Sequence, residues 1–233
     1  MIRLRLTSAL LAAAIASLAF AASASAALIG LYRNSMESDA QRGQIGKFSG
    51  ERCGRGGSGH ALRITVGKAT AECAYRTPVV GRDLEIGATG RLLSSTPKAV
   101  KRKAFLALNL RTGDAGAGYQ LAVYPLQRKA QVRRILSDGR VEYLHIEKGV
   151  STVMGTDEAN ELRLRAFNVS SGPDRGKCRI VAFVGSMQVA DVLDPAAGEL
   201  QGRGSGFSIG AAGSAKGAVG SFDDVVIRVP SPF

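Results

Sequence analysis

Ala104-Phe105-Leu106-Ala107-Leu108-Asn109-Leu110-Arg111, followed after a glycine-rich break by Tyr119-Gln120-Leu121-Ala122-Val123-Tyr124-Pro125, decides how this chain is read. In the first segment Ala104, Leu106, Leu108 and Leu110 share one phase of a two-residue repeat, and Phe105, Ala107, Asn109 and Arg111 share the other. In the second, Tyr119, Leu121 and Val123 oppose Gln120, Ala122 and Tyr124. A period of two sends alternate side chains to opposite faces of an extended chain, whereas a helix gathers residues three and four apart. Both segments therefore read as strands with one face turned to a core.

The same rhythm extends outward in both directions. Leu62, Ile64 and Val66 alternate, as do Leu84 and Ile86, and Leu162, Leu164 and Ala166 alternate with Arg163, Arg165 and Phe167. Asp138-Gly139 between Gln131–Leu136 and Val141–Glu147 supplies the positive φ of a tight hairpin, and Gly185-Ser186 does so between Ile180–Val184 and Met187–Val192. About a dozen strands with frequent turns, and no amphipathic helix, predict an all-β fold, a two-sheet antiparallel β-sandwich of the jelly-roll kind. No linker or repeat divides residues 27–233, so one domain is expected there.

The N-terminus predicts export. Arg3 and Arg5 precede an uncharged apolar run from Ala9 to Phe20, and Ala24-Ser25-Ala26 is the small-residue site of a signal peptidase. Residues 1–26 are thus expected to be a signal peptide, leaving a secreted, extracellular chain of bacterial-type composition, rich in Ala, Gly and Arg without Trp. The apolar run is short for a lasting span, so no transmembrane segment is expected in the mature chain. Without Arg3 and Arg5 there remain 29 Lys and Arg against 19 Asp and Glu, a net charge near +10. Such a field attracts anionic polysaccharide or cell-envelope polymer; nothing singles out a specific nucleic acid. In an oxidising compartment the three cysteines leave one over, and the short spacing of Cys53 and Cys73 favours that pair without excluding a bridge to Cys178.

The last third carries a resemblance. Leu162-Arg163-Leu164-Arg165-Ala166, Ile180-Val181-Ala182-Phe183-Val184-Gly185, Val189-Ala190-Asp191-Val192, Gly202-Arg203-Gly204-Ser205-Gly206-Phe207-Ser208-Ile209-Gly210 and Ser221-Phe222-Asp223-Asp224-Val225-Val226-Ile227 follow one another in that order. The succession resembles the C-terminal half of concanavalin A-like lectin/glucanase domains, including the laminin-G-like group. The resemblance implies a jelly roll and covers lectins, adhesion modules, hydrolases and lyases, so it narrows shape more than chemistry.

Catalytic patterns are sparse. The E-x-D-x-x-E strand of laminarinase-type members is not matched by Asp83-Leu84-Glu85-Ile86-Gly87, and those acids read as the wet face of a strand. His60 and His145 have no nucleophile elbow to serve. One face does invite ligand chemistry. If the strands at Ala104, Tyr119, Val141 and Leu162 share a sheet, Asn109, Arg111, Gln120, Tyr124, Arg163 and Arg165 point outward together. Arg133 or Arg134 joins them according to register, and His145 does so if its phase faces out. Guanidinium groups beside amides and a phenol can hold carboxylates or phosphates. Resemblance to alginate-lyase-type jelly rolls, through Gly118–Tyr124, implies a lyase on this face; their Gln-Ile-His segment is not matched by Leu144-His145-Ile146.

A cation is the last expectation. Asp223 shares the phase of Val225, Ile227 and Val229, and a carboxylate in register with a core is costly without a partner. The superfamily resemblance implies structural calcium, with Glu37, Asp223 and Asp224 as its oxygen ligands; no other cofactor is expected. The sequence thus favours a secreted non-catalytic binding or interaction module for anionic envelope or matrix glycans. A glycan-active enzyme, hydrolase or lyase, and a structural surface protein without a glycan ligand are the alternatives.

Overall fold

The computed structural model describes residues 28–230 apart from 50–52, 68–70, 114–115, 197, 199, 201 and 214–215. The expected leader at residues 1–26 lies outside the described residues. In chain order the first strands are β1 (Leu28–Asn34), β2 (Gly46–Ser49), β3 (Cys53–Ser58), β4 (Ala61–Val66), β5 (Glu72–Val80) and β6 (Leu84–Leu92). Then come β7 (Ala104–Thr112), β8 (Gly118–Tyr124), β9 (Lys129–Ile135), β10 (Val141–Lys148) and β11 (Asn160–Asn168). The last are β12 (Cys178–Val184), β13 (Met187–Asp194), β14 (Gly204–Ala211) and β15 (Val219–Pro230). Among the described residues the helices are the short α1 (Asp39–Gly43) and α2 (Lys98–Lys101) and a 3₁₀ turn at Pro125–Gln127.

Two antiparallel sheets form the sandwich. The eight-stranded sheet runs β13-β12-β11-β6-β15-β4-β3 with β1 beside β15, and the seven-stranded sheet runs β10-β9-β8-β7-β14-β5-β2. Sequence neighbours β7, β8, β9 and β10 pair as a meander, while β14 returns from far along the chain to lie between β7 and β5. Both predicted hairpins are present, with Gly139 at φ 82° and Gly185 at φ 58° in their turns.

The apolar phases meet between the sheets. Leu106, Leu108, Leu121, Val123, Phe207 and Ile209 of the seven-stranded sheet pack in one cluster with Leu62, Ile64, Ile86, Leu164, Ile180, Phe222 and Ile227 of the other. The Phe207 and Phe222 rings sit 4.6 Å apart across the interlayer. Each such buried side chain contributes about 1.5–3 kcal/mol relative to exposure. Cys53 on β3 and Cys73 on β5 form a disulfide, Cα–Cα 5.8 Å, that ties the two sheets together. Closing a loop of this length removes roughly 3 kcal/mol of unfolded-state entropy. Cys178 is the remaining, free thiol and is buried; desolvation pushes its pKa up to about 11.

A buried polar bridge crosses the same interlayer. Asp194, 2% exposed at the end of β13, accepts a 2.8 Å hydrogen bond from the Tyr119 hydroxyl and bonds at 3.0 and 3.2 Å from Arg134 Nη1. Arg134 also contacts Glu142, so the carboxylate enters the interior with its charge answered. Burial, then the neighbouring Cys178 and Asp194, push the Tyr119 pKa upward.

Candidate outer-face binding site

The cross-strand register of the seven-stranded sheet lays its outward residues in rows, because partners directly opposite each other share a face. One row runs Arg76–Gly206–Asn109–Gln120–Arg133–Tyr143 from β5 to β10. The next runs Ala74–Ser208–Ala107–Ala122–Gln131–Ile146. A third contains Glu72–Gly210–Phe105 on one side and Tyr124–Lys129–Lys148 on the other. The Phe105 and Tyr124 rings join the halves at 5.4 Å.

The middle row is mostly small, which lets long side chains from the flanking rows lie flat across it. Arg133, on β9, reaches over β8 to place its guanidinium 4.6 Å from the Phe105 ring on β7. Glu72 crosses from β5 to accept a 2.7 Å hydrogen bond from Gln120 Nε2 and stands 3.9 Å from Arg133. Gln120 is the hub: Nε2 also donates to Asn109 Oδ1 at 2.7 Å, and Oε1 accepts from Arg133 Nε at 2.6 Å. Asn109 Nδ2 in turn donates to Ser208 Oγ at 3.1 Å. Phe105 leans over Gly210, where a Cβ would stand 2.4 Å from its ring, so glycine is required there. Phe105, Ala107, Ala122 and Tyr124 form a second apolar cluster, separate from the interlayer core.

Toward β10 the rows open. Tyr143 and Ile146 are exposed, at 56% and 43%. Lys129 stands 3.9 Å over the Tyr124 ring, directly opposite Lys148 in register. Burial first, then the charges of Lys148 and Arg133, lower the Lys129 pKa. Burial raises that of Tyr124, with Arg133 pulling the other way. Gln131 Oε1 is buried without a hydrogen-bond partner among the described residues. The open end thus combines three cations, one unanswered acceptor and an aromatic ring.

Asn109, Gln120, Tyr124 and Arg133 are therefore brought together as expected; the other four candidates are not. Arg163 and Arg165 belong to β11 in the eight-stranded sheet, not with β7 and β8, because β11 pairs with β6 and β12. There Arg163 stacks 4.4 Å over Phe183, and Arg165 donates to Glu85 at 2.6 and 3.0 Å. Arg228 holds the other oxygen of Glu85 at 2.9 Å. Glu85, expected on a wet face, is only 1% exposed beneath these guanidiniums. His145 faces away from the rows: a register shift between Tyr143 and His145 sets Tyr143 opposite Arg133 but His145 opposite the core residue Val132. Arg111 leaves the face as well. It is skipped in the β7–β14 register, Thr112 pairing Gly204 and Leu110 pairing Ser205, and it has φ 54°. This bulge turns its side chain to the end of the sandwich.

The premise of the calcium expectation also fails. Asp224 has φ 48° and lies in a register shift between Asp223 and Val226, so Phe222 and Val225 both point into the core. The extra residue reverses the phase, and Asp223 lies opposite Thr89 on the outer side. Asp224 N–H donates to Asp223 Oδ1 at 2.8 Å, and burial raises the Asp223 pKa. Glu37 is exposed between β1 and α1. Among the described residues no three His, Cys, Asp or Glu side chains gather as a metal-holding group.

Sequence reading missed Glu72, Ser208, Lys129 and Gln131 as members of this face. Glu72 had a usable signal: Cys73, once bridged, must face the interlayer, which turns Glu72 and Ala74 outward. Ser208 had none, since β14 joins β7 only through long-range pairing.

No protein-family model and no curated protein matches the chain. Among solved structures it is similar to the carbohydrate binding module CBM66 from Bacillus subtilis, with 14% identity and a TM-score of 0.56 over 79% of this chain and 95% of that one. A Bacillus subtilis protein of unknown function with a galectin-like fold matches at 12% identity and TM-score 0.55, covering 87% and 97%. The exoplasmic/lumenal domain of VIP36, in a Ca²⁺/Man3GlcNAc-bound form, matches at 11% and 0.54, covering 89% and 91%. At such identities the likeness is one of fold, the two-sheet antiparallel β-sandwich of the jelly-roll kind.

Proposed function

We propose that the protein is a secreted, non-catalytic binding module for anionic glycans of a cell envelope or matrix, with the outer face of the seven-stranded sheet as its binding surface. The row Asn109–Gln120–Arg133–Tyr143 carries this reading: two amides, a guanidinium and an exposed phenol fixed side by side by strand register. Amides and guanidiniums held in place lose little freedom on binding, and an exposed aromatic face suits a sugar ring. The anionic preference is supported by the three cations Lys129, Arg133 and Lys148 set against Glu72, the one carboxylate among the row residues. A lone carboxylate also supports binding over hydrolysis, which ordinarily uses a pair. The likeness in fold to a carbohydrate binding module and to a glycan-bound lumenal domain agrees with the proposal.

The test is retention of the purified protein on immobilised polygalacturonate and on a neutral glucan, across a salt gradient. Retention on the acidic polymer that weakens steadily with salt, with no unsaturated or reducing-end product released, is the expected outcome. Retention indifferent to salt, or product formation, would overturn the anionic or the non-catalytic part respectively.

A further inference from the structure

At the opposite end of β7 from Phe105, the sandwich contains a cavity of about 470 Å³ lined by Arg82, Arg111, Asn168, Ser170 and Arg175 among others. Arg111 forms its floor and is 2% exposed. Its Nε donates to the Arg82 carbonyl at 3.0 Å, and Nη2 donates to Asp83 Oδ1 at 3.1 Å and Asn168 Oδ1 at 2.9 Å. These bonds fix the guanidinium plane, and among the described residues Nη1 has no hydrogen-bond acceptor.

The backbone beneath is as specific as the side chain. Arg111 is the bulged residue of β7, in the left-handed region at φ 54°, where glycine is the ordinary occupant. A residue with a Cβ costs roughly 1 kcal/mol or more in that conformation. A Cβ on Gly202 would stand 2.3 Å from the Arg111 carbonyl oxygen, so a passing chain with no side chain at that point packs against the bulge. The bulge takes Arg111 out of the outer-face rows and aims it into the cavity. Bulges commonly re-aim a side chain in this way beside functional sites. Asp83, half-exposed, pairs with Arg111, and the exposed Arg175 also lines the cavity.

We propose that this cavity is an oxyanion site, separate from the sheet face, that takes a small carboxylate- or phosphate-bearing group such as the acidic end of a glycan chain or a free phosphate. Arg111 Nη1 and the Arg175 guanidinium supply the charge-assisted donors, and Asn168 and Ser170 stand by as neutral partners for hydroxyls. The proposal stands or falls independently of the sheet-face reading, since it shares no residue with it.

Calorimetric titration of the purified protein with galacturonate and, separately, with inorganic phosphate tests it. Saturable binding of either is expected, and which one binds names the source of the anion. Arg175→Ala should weaken it about tenfold, the loss of one charge-assisted contact. Arg111→Lys keeps the charge but loses the planar fork, and should weaken it as much with the fold verified by circular dichroism. Arg140→Ala, at the exposed β9–β10 turn, should leave binding unchanged. No saturable binding of either probe, wild-type affinity in Arg175→Ala, or equal weakening in Arg140→Ala would overturn the proposal.

Discussion

The outer faces of the two sheets carry arginines at equivalent outward strand positions and use them in opposite ways. On the eight-stranded sheet Glu85 sits between Arg165 and Arg228 on neighbouring strands, and Arg179 is paired with Asp191 at 2.6 and 2.7 Å. Both of these carboxylates are answered at close range, so these guanidiniums hold strands together. On the seven-stranded sheet Arg133 donates to a neutral amide and stacks on a ring, with its nearest carboxylate, Glu72, at 3.9 Å. Beyond it Lys129 and Lys148 face each other and Gln131 Oε1 has no donor. An outward arginine is thus no sign of binding by itself. What matters is whether the cross-strand neighbour supplies the countercharge or leaves it to a ligand.

The largest expected effect separates the faces by stability. Glu85→Ala leaves two guanidiniums crowded without their carboxylate and should cost about 2–3 kcal/mol, less than a fully buried pair because Arg165 and Arg228 are partly exposed. Urea unfolding measures this, and retention on polygalacturonate should not change. A fall in retention at unchanged fold would erase the distinction drawn between the faces.

Arg133→Ala should act the other way round. Retention on polygalacturonate should weaken about tenfold, near 1.4 kcal/mol, with a smaller stability loss from the undonated Gln120 Oε1. Full retention in this variant would remove the seven-stranded face from consideration.

The interior should respond to neither substitution, and pH isolates it. Cys178 holds its proton until about 11 in the folded protein against an ordinary 9.0, because burial disfavours the thiolate. The folded pKa is the higher one, so this stabilisation is complete below pH 9.0 and is lost as pH rises from there toward about 11. Thermal melts across that range should show the decline, and Cys178→Ala should flatten it.

The smallest effect is the sharpest. Lys148→Glu converts a like-charge cross-strand pair into an opposite one and should stabilise the fold by about 0.2–0.5 kcal/mol. The same change should weaken retention and reduce its salt dependence. Opposite signs for stability and binding would mark Lys148 as kept for a ligand; parallel signs would make it an ordinary surface lysine.

Much of this architecture was legible in the order of residues. The alternation from Ala104 to Leu110 put Leu106 and Leu108 in the core and Asn109 outside with Gln120, while the choice between Arg133 and Arg134 waited on the register, which sets Arg133 opposite Gln120. Cys53 and Cys73 were paired from their spacing. Three of the failures share one cause. At Arg111, between Tyr143 and His145, and at Asp224, a bulge or register shift reverses the period-two phase, and every residue beyond it changes face. Arg163 and Arg165 failed differently: their own phase was read correctly, but the sheet that β11 joins was not.

Sequence alone determined most of the strands, the turn glycines and, up to each bulge, the side of a strand that seeks the core, because these follow from local backbone geometry and the transfer of apolar side chains out of water. Tertiary structure decided which strands became neighbours, where the bulges fell and which arginine met a carboxylate. Those outcomes depend on hydrogen bonding between segments far apart in the chain, such as β14 between β7 and β5, which no local pattern encodes.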